Sequence, residues 1–233
     1  MVEIIPAIIP KSFEDLKDKM SQVLSLTPLI QIDITDGKFV PNKSWPYISG
    51  GLDENFYKIL REEEGFPLWD KIDFEVDLMV EKPENEINYW ISVGAKRIIV
   101  HIESTDKMPE IINNFKKRFG EHHDLLSDVE LGVALNIETP FSVVSPFLDS
   151  IDFVQFMGIS KIGFQGVHFD ERVIEKIDEV RQNNADLIIS VDGGVNLDNA
   201  KELLEVGVNR LVVGSAIFES SDIRTTIELF KKL

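Results

Sequence analysis

Eight short apolar runs, alternating with amphipathic stretches over 233 residues, predict a (β/α)₈ TIM barrel: an α/β fold of eight parallel strands closed on themselves. Three observations carry the prediction. The runs have strand length and are rich in Ile and Val, the stretches between them have helical periodicity, and the length is ordinary for one closed α/β barrel. A hydrophobic content of 43% supplies a large core, and nothing in the composition points to disorder.

The first run is EIIPAII (3–9). After it Phe13, Leu16, Met20, Val23 and Leu24 fall on one helical face, and Ser12 with Asp15 has the form of a capping box. The second run, LIQIDI (29–34), leads into the longest connection, 42–73, whose charged REEEGFPLWDK portion is expected to be a solvated excursion. DFEVDLMV (73–80) is third; Pro83 suits the first turn of the next helix and Gly94 its end. RIIVHI (97–102), ELGVALN (130–136), DFVQFM (152–157), DLIISVD (186–192) and RLVVG (210–214) complete the set. No linker or low-complexity stretch divides the chain, so residues 1–233 are expected to form one domain.

Charge excludes whole classes of partner. A net charge of −17 argues against nucleic acid, whose phosphates need a basic surface, and equally against an anionic membrane. A small anionic substrate is not excluded, because local backbone N–H groups bind phosphate against an unfavourable overall field. With no cysteine there is no disulfide, no zinc–thiolate site and no Cys nucleophile. The opening residues carry no basic n-region and no apolar stretch long enough for a signal or a membrane span, so a cytoplasmic location is expected. A homo-oligomer stays open.

The strand faces say more. Ile30, Ile32 and Ile34 take one side of the second strand while Gln31, Asp33 and Thr35 take the other. In the third, Val76, Leu78 and Val80 oppose Glu75, Asp77 and Met79. Parallel barrel strands are normally apolar on both faces. A single inward Asp is explained by one satisfied buried polar group. Several at the ends of separate strands are better explained by the C-terminal mouth, where barrel active sites sit.

Glycines mark a second feature of that mouth. Gly193 and Gly194 follow the seventh strand, and Gly214 with Ser215 follows the eighth and opens a helix. Small residues at adjacent strand ends let a phosphate approach backbone N–H groups, so these four are read as a phosphate cradle. Gly163 and Gly166, after the sixth strand, suggest a mobile loop that closes over the substrate.

The run Asp33-Ile-Thr-Asp-Gly-Lys-Phe-Val-Pro-Asn42 resembles the ribulose-phosphate 3-epimerase signature His-x-Asp-x-Met-Asp-Gly-x-Phe-Val-Pro-Asn. Further blocks resemble that family in the same order. They are Val76-Asp-Leu-Met-Val80, Val100-His-Ile-Glu103, Gly132-Val-Ala-Leu-Asn136 with Thr139-Pro140, and Met157 with Gly163-Phe-Gln-Gly166 and Phe169, where the family motif runs Gly-Phe-Gly-Gly. Val191-Asp-Gly-Gly-Val-Asn196 and Gly214-Ser-Ala-Ile-Phe218 close the set. The resemblance covers nearly the whole chain and implies a barrel that epimerises a phosphorylated ketose beside its carbonyl. Two aspartates would exchange the proton, with a divalent metal steadying the enediolate. Asp33 and Asp192 stand at the positions of those aspartates, and Met79 and Met157 are retained as pocket residues.

The metal ligands are where this sequence departs. Gln31 and Asp77 stand where the family has its two metal-binding histidines. Ala7 replaces a substrate-contacting serine, Thr35 a methionine, and one residue is inserted before Gly163, beside Lys161. Two accounts follow. Gln31, Asp33, Asp77 and Asp192 form an all-oxygen site suited to Mg²⁺ or Mn²⁺ rather than Zn²⁺. Alternatively there is no metal, the crowded carboxylates raise at least one pKa, and a cation comes from Lys38 or Lys161.

His101 is expected to point into the barrel with Glu103, whereas His122 and His123 read as surface residues and His168 as a solvated helix start. A sugar-phosphate epimerase is the leading reading, followed by a non-catalytic phosphosugar-binding barrel and then another phosphosugar isomerase or aldolase. The Asp-x-Lys-x-x-Asp pattern of the related decarboxylases and hexulose-phosphate synthases is absent.

Overall fold

The computed structural model describes residues 2–48, 51–120 and 129–233, so His122 and His123 lie outside the described residues. Eight parallel strands close in sequence order: β1 (Glu3–Ile8), β2 (Leu29–Thr35), β3 (Asp73–Met79), β4 (Arg97–His101), β5 (Glu130–Leu135), β6 (Phe153–Met157), β7 (Ile189–Asp192) and β8 (Arg210–Val213). β8 pairs back onto β1, with Glu3 opposite Arg210 and Pro6 opposite Val213. This is the (β/α)₈ barrel that the alternation predicts. The seventh strand starts three residues later than expected, because Leu187 is still held in a turn by Asn184.

Around the barrel run α1 (Phe13–Val23), α2 (Glu54–Leu60), α3 (Ile87–Ser92), α4 (Met108–Phe119), α5 (Arg172–Arg181), α6 (Leu197–Glu205), α7 (Ser215–Phe218) and α8 (Ile223–Phe230). In α1 the buried residues are Phe13, Leu16, Met20 and Val23, the stripe read from spacing, with Leu24 at the C-cap. Ser12 caps Asp15 N–H at 3.1 Å, but the Asp15 carboxylate returns to Lys11 N–H at 2.8 Å rather than to the cap residue. Pro83 opens a 3₁₀ turn (Pro83–Asn85) ahead of α3, and Gly94 follows it at a φ of 102°. Between β5 and β6 there are 3₁₀ turns instead of a helix. Pro140 and Pro146, six residues apart, leave no room for uninterrupted i→i−4 bonding.

The connection 42–73 is less solvated than its charges suggest. It contains α2, and within the acidic stretch Phe66 is buried and stacked on Phe74 at 4.1 Å, while Trp69 is 69% exposed. Elsewhere outward strand residues such as Ile30, Ile32, Val76 and Leu78 meet the helices in one continuous core. Inside the barrel, Gly132 leaves space for the Phe153 ring, which any Cβ there would strike at 2.3 Å. No helix of the described residues is long and apolar enough to cross a membrane.

Candidate active site at the C-terminal mouth

Period-two alternation aims Gln31, Asp33 and Thr35 of β2 and Asp77 and Met79 of β3 into the barrel, and all five are buried. Glu75 shares that face, but the expectation that it lines the mouth is corrected. It lies at the other end, 3.0 Å from Arg97. It comes two residues earlier in an inclined strand, and that places it one layer down.

The centre of the mouth is a group of carboxylates. One oxygen from each of Asp33, Asp77 and Asp192 falls within 4.8 Å of the others. Nε2 of Gln31 donates to Asp33 Oδ1 and to Asp192 Oδ2, both at 2.8 Å. Asp77 is served from other strands: Gln155 Nε2 donates to its Oδ2 at 3.0 Å, and Ser190 Oγ donates to Gln155 Oε1 at 3.2 Å. His101 Nε2 lies 3.1 Å from Asp77 Oδ1 without hydrogen-bond alignment, and its Nδ1 lies 3.7 Å from Glu103.

Burial and crowding act together on these acids. Burial, then the charges of Asp192 and Asp77, hold the Asp33 carboxyl well above the usual carboxylate range against the Gln31 bond. Burial, then Asp77, pushes Asp192 up to about 7. Burial opposes charge on His101, yet Asp77 and Glu103 outweigh it and push the imidazole up to about 10. The cationic group facing the acids is therefore His101, not Lys38 or Lys161. Lys38 is exposed, and Lys161 holds its ammonium 4.5 Å from the Phe164 ring centre.

Above the carboxylates opens a cavity. Its lining brings together Asp33 and Asp192, Met79 and Met157, Gly163 and Gly166, Gly193 and Gly194, and Gly214 and Ser215. Gly194, at a φ of 70°, lies against the backbone of Phe169, where a Cβ would come within 2.7 Å of Cα. Packing as well as any ligand requires that glycine. The loop after β6 crosses the cavity and is tied down by Asn42 Nδ2, which donates to Gly163 O at 2.9 Å. Ala7 also lines the cavity, while Thr35 Oγ1 is buried without a partner. His168 is exposed on the outer side of the glycines, and Glu103 accepts from Asn136 N–H at 2.8 Å instead of entering the barrel.

Gln155, Ser190 and Gln165 are site residues that the sequence reading missed. Gln155 and Ser190 occupy inward positions of β6 and β7, so the alternation argument applied to β2 and β3 would have found them. The donor set fits an oxygen-preferring divalent cation. Besides the three carboxylates, Gln31 Oε1 and Asp77 Oδ1 are buried without hydrogen-bond partners.

Comparison with known proteins gives the family. Residues 3–218 match the profile of the Ribulose-phosphate 3 epimerase family. The chain is 31% identical to ribulose-phosphate 3-epimerase of Bacillus subtilis, with 97% of each chain covered. It is 32% identical to the chloroplastic ribulose-5-phosphate-3-epimerase of Arabidopsis thaliana, covering 97% of this chain and 75% of that one. Among solved structures it is similar to KGPDC from Streptococcus mutans, with a TM-score of 0.67, 15% identity and 99% and 96% of the two chains covered. A 3-hexulose-6-phosphate synthase from Salmonella typhimurium gives a TM-score of 0.65 at 13% identity, with 99% and 97% covered. At such identities the structural likeness speaks for the fold alone.

Proposed function

The chain belongs to the ribulose-phosphate 3-epimerase family, and from that premise we propose that it epimerises a ketose phosphate at C3, with Asp33 and Asp192 as the proton-transfer pair. The observation that carries this reading is the pair itself. Two buried carboxylates on strands β2 and β7 are bridged by one amide nitrogen at 2.8 Å each, beneath a cavity that ends in glycines. Crowding favours one proton shared between them, which is what an acid–base pair needs: one member removes the proton at C3 and the other returns one to the opposite face. Gln31 holds both in register, while His101 and Gln155 restrain Asp77.

The substrate is a small phosphorylated sugar. Its phosphate lies against the backbone of Gly193, Gly194, Gly214 and Ser215, Gly163 and Gly166 let the β6 loop cover it, and Met79 and Met157 supply apolar contact. Asp33, Asp77 and Asp192, with Oε1 of Gln31, would hold a divalent cation, Mg²⁺ or Mn²⁺ in preference to Zn²⁺. When bound, that cation supplies positive charge for the ketose oxygens.

The test is solvent exchange. Ribulose 5-phosphate and other ketose phosphates incubated with the protein in deuterated water should take up deuterium at C3, followed by NMR, with Mg²⁺ or Mn²⁺ present and absent. If no ketose phosphate exchanges under any of these conditions, a non-catalytic phosphosugar-binding barrel becomes the better reading.

A further inference from the structure

Gln165 sits on the loop after β6 and is exposed as a whole, yet its amide reaches down into the cavity. Its Nε2 donates to the carbonyl oxygen of Ala7 at 3.3 Å, and a Cβ placed on Gly214 would lie 3.2 Å from that same nitrogen. Strand register says what this position means. Ala7 of β1 stands opposite Gln31 of β2, while on the other side Pro6 pairs with Val213, which sets Ala7 beside Gly214. The amide therefore lies between two regions: Gln31 with Asp33 and Asp192 on one side, and Gly214 with Ser215 on the other.

Resting on the epimerase reading above, we propose that Gln165 binds the part of the substrate between the reacting carbon and the phosphate. The group it recognises there is a hydroxyl. A ligand whose reacting carbon is at Asp33 and Asp192 and whose phosphate is at Gly214 and Ser215 must run past this amide. Ala7 itself offers only a methyl group at that inward position. A primary amide has two N–H donors and a carbonyl acceptor. One N–H is taken by Ala7, and among the described residues no protein group takes the second N–H or Oε1. A hydroxyl both donates and accepts, so it matches what remains. The amide is delivered by a tethered segment: Asn42 fixes Gly163 O, and Gly163 packs so closely on Val40 that a Cβ would meet its side chain at 2.8 Å. Gln165 thus arrives at the same place each time the loop covers the cavity.

The experiment is calorimetric binding, which needs no turnover, so loss of this inference and loss of the epimerase reading are separable. Three ligands are titrated into wild type, Gln165→Ala and Gln165→Glu: ribulose 5-phosphate, its analogue lacking the C4 hydroxyl, and inorganic phosphate. Gln165→Ala should weaken ribulose 5-phosphate about tenfold, the size of one lost hydrogen bond, while its affinities for the deoxy analogue and for phosphate match wild type. Gln165→Glu keeps the length but removes the N–H donors, and should weaken ribulose 5-phosphate at least as much. Thermal midpoints report whether each variant is folded. Equal losses for the sugar and its deoxy analogue would mean that Gln165 merely straps the loop down, and unchanged affinity for the sugar would mean no contact at all; either overturns the proposal. Wild type that binds no ketose phosphate overturns the epimerase reading, and this inference with it.

Discussion

At the N-terminal end of the barrel three carboxylates meet two guanidiniums; at the C-terminal mouth three carboxylates meet two neutral amides and one imidazole. Below, Arg97 lies 3.0 Å from Glu75 and 3.1 Å from Glu3 and Glu130, while Arg210 lies 3.2 Å from Glu3 and 3.0 Å from Glu130. Above, one oxygen from each of Asp33, Asp77 and Asp192 lies within 4.8 Å of the others, and of these three acids His101 lies against Asp77. Two like charges 4 Å apart cost about 4 kcal/mol at an effective dielectric of 20, so three ionised aspartates there are costly without a proton or a cation. In the lower cluster each carboxylate has a guanidinium beside it. In the upper one, among the described residues, no Lys or Arg pairs with Asp33, Asp77 or Asp192. One fold thus gathers carboxylates at both ends of the barrel, and the difference lies in whether guanidiniums are built in beside them.

The sharpest way to break the comparison is to remove one charge at each end. Asp33→Asn and Asp192→Asn should each reduce turnover by about 10²–10⁴-fold, the usual contribution of positioned acid–base catalysis. Phosphate affinity should survive both, because the glycine loops supply it separately. Exchange at C3 that persists in both variants would take the proton-transfer role away from these residues. Below, Arg97→Met should cost about 3–5 kcal/mol of unfolding free energy, since it leaves buried Glu75 without its guanidinium. Chemical denaturation measures that loss, and ligand affinity in the folded variant should stay within twofold or so. A stability change near zero would show that the lower cluster is not the lock described.

How much of this was legible in the sequence differs between the ends. Alternation along β2 and β3 identified Gln31, Asp33 and Asp77 as inward, and the small residues singled out after β7 and β8 line the cavity. The same rule could not say which end of the barrel an inward residue occupies, so Glu75 was misplaced by a layer. Strand inclination decides that, and a single strand does not reveal it. The cation at the mouth was sought among nearby lysines, whereas the charges of Asp77 and Glu103, acting against burial, make His101 the positive group. Phe66 was hidden by its neighbours: three glutamates before it suggested solvent, yet its ring stacks on Phe74. Gln165 could not be found by periodicity because it lies on a loop.

Stability against pH reads both ends together, because burial also pushes Glu75 up to about 7 against the pull of Arg97 and Arg210. With metal removed by chelator, burial and then the charge of Asp77 push Asp192 up to about 7 in the folded state, well above the usual carboxylate range. A raised pKa means that the folded state holds the proton more tightly. Its contribution is therefore fully present below about pH 4 and is lost as pH rises towards 7. The loss should be on the order of 2–4 kcal/mol, because the shift is worth about 1.4 kcal/mol per unit and is shared with Asp33. Asp192→Asn should make this part of the profile shallower, and the slope that Glu75 contributes should remain. A wild-type curve that rises steadily from pH 4 to 7, with the variant parallel to it, would remove the argument for a crowded, protonated mouth.

The smallest expected effect concerns the choice of cation. Gln31 points its nitrogen at Asp33 and Asp192 and leaves Oε1 without a partner, so presenting that oxygen to a cation means giving up two hydrogen bonds. A divalent ion must outweigh them, and its affinity should be modest. An imidazole at position 31 carries no such cost and is the better ligand for Zn²⁺, whereas oxygen donors suit Mg²⁺ and Mn²⁺. Zn²⁺ still stands above Mn²⁺ in intrinsic affinity at almost any site, so the informative quantity is a ratio rather than a rank. Gln31→His should widen the Zn²⁺ to Mn²⁺ affinity ratio by about tenfold or more, equivalent to about 1.4 kcal/mol. Titration of chelator-stripped wild type and variant with each metal alone, read by calorimetry and by the shift in thermal midpoint, measures it. The lower cluster offers the control, because Glu75→Gln lies a layer away and should leave the ratio as it was. If Gln31→His also leaves it unchanged, residue 31 does not face the cation. Gln31 would then be a neutral brace for the aspartate pair and nothing more.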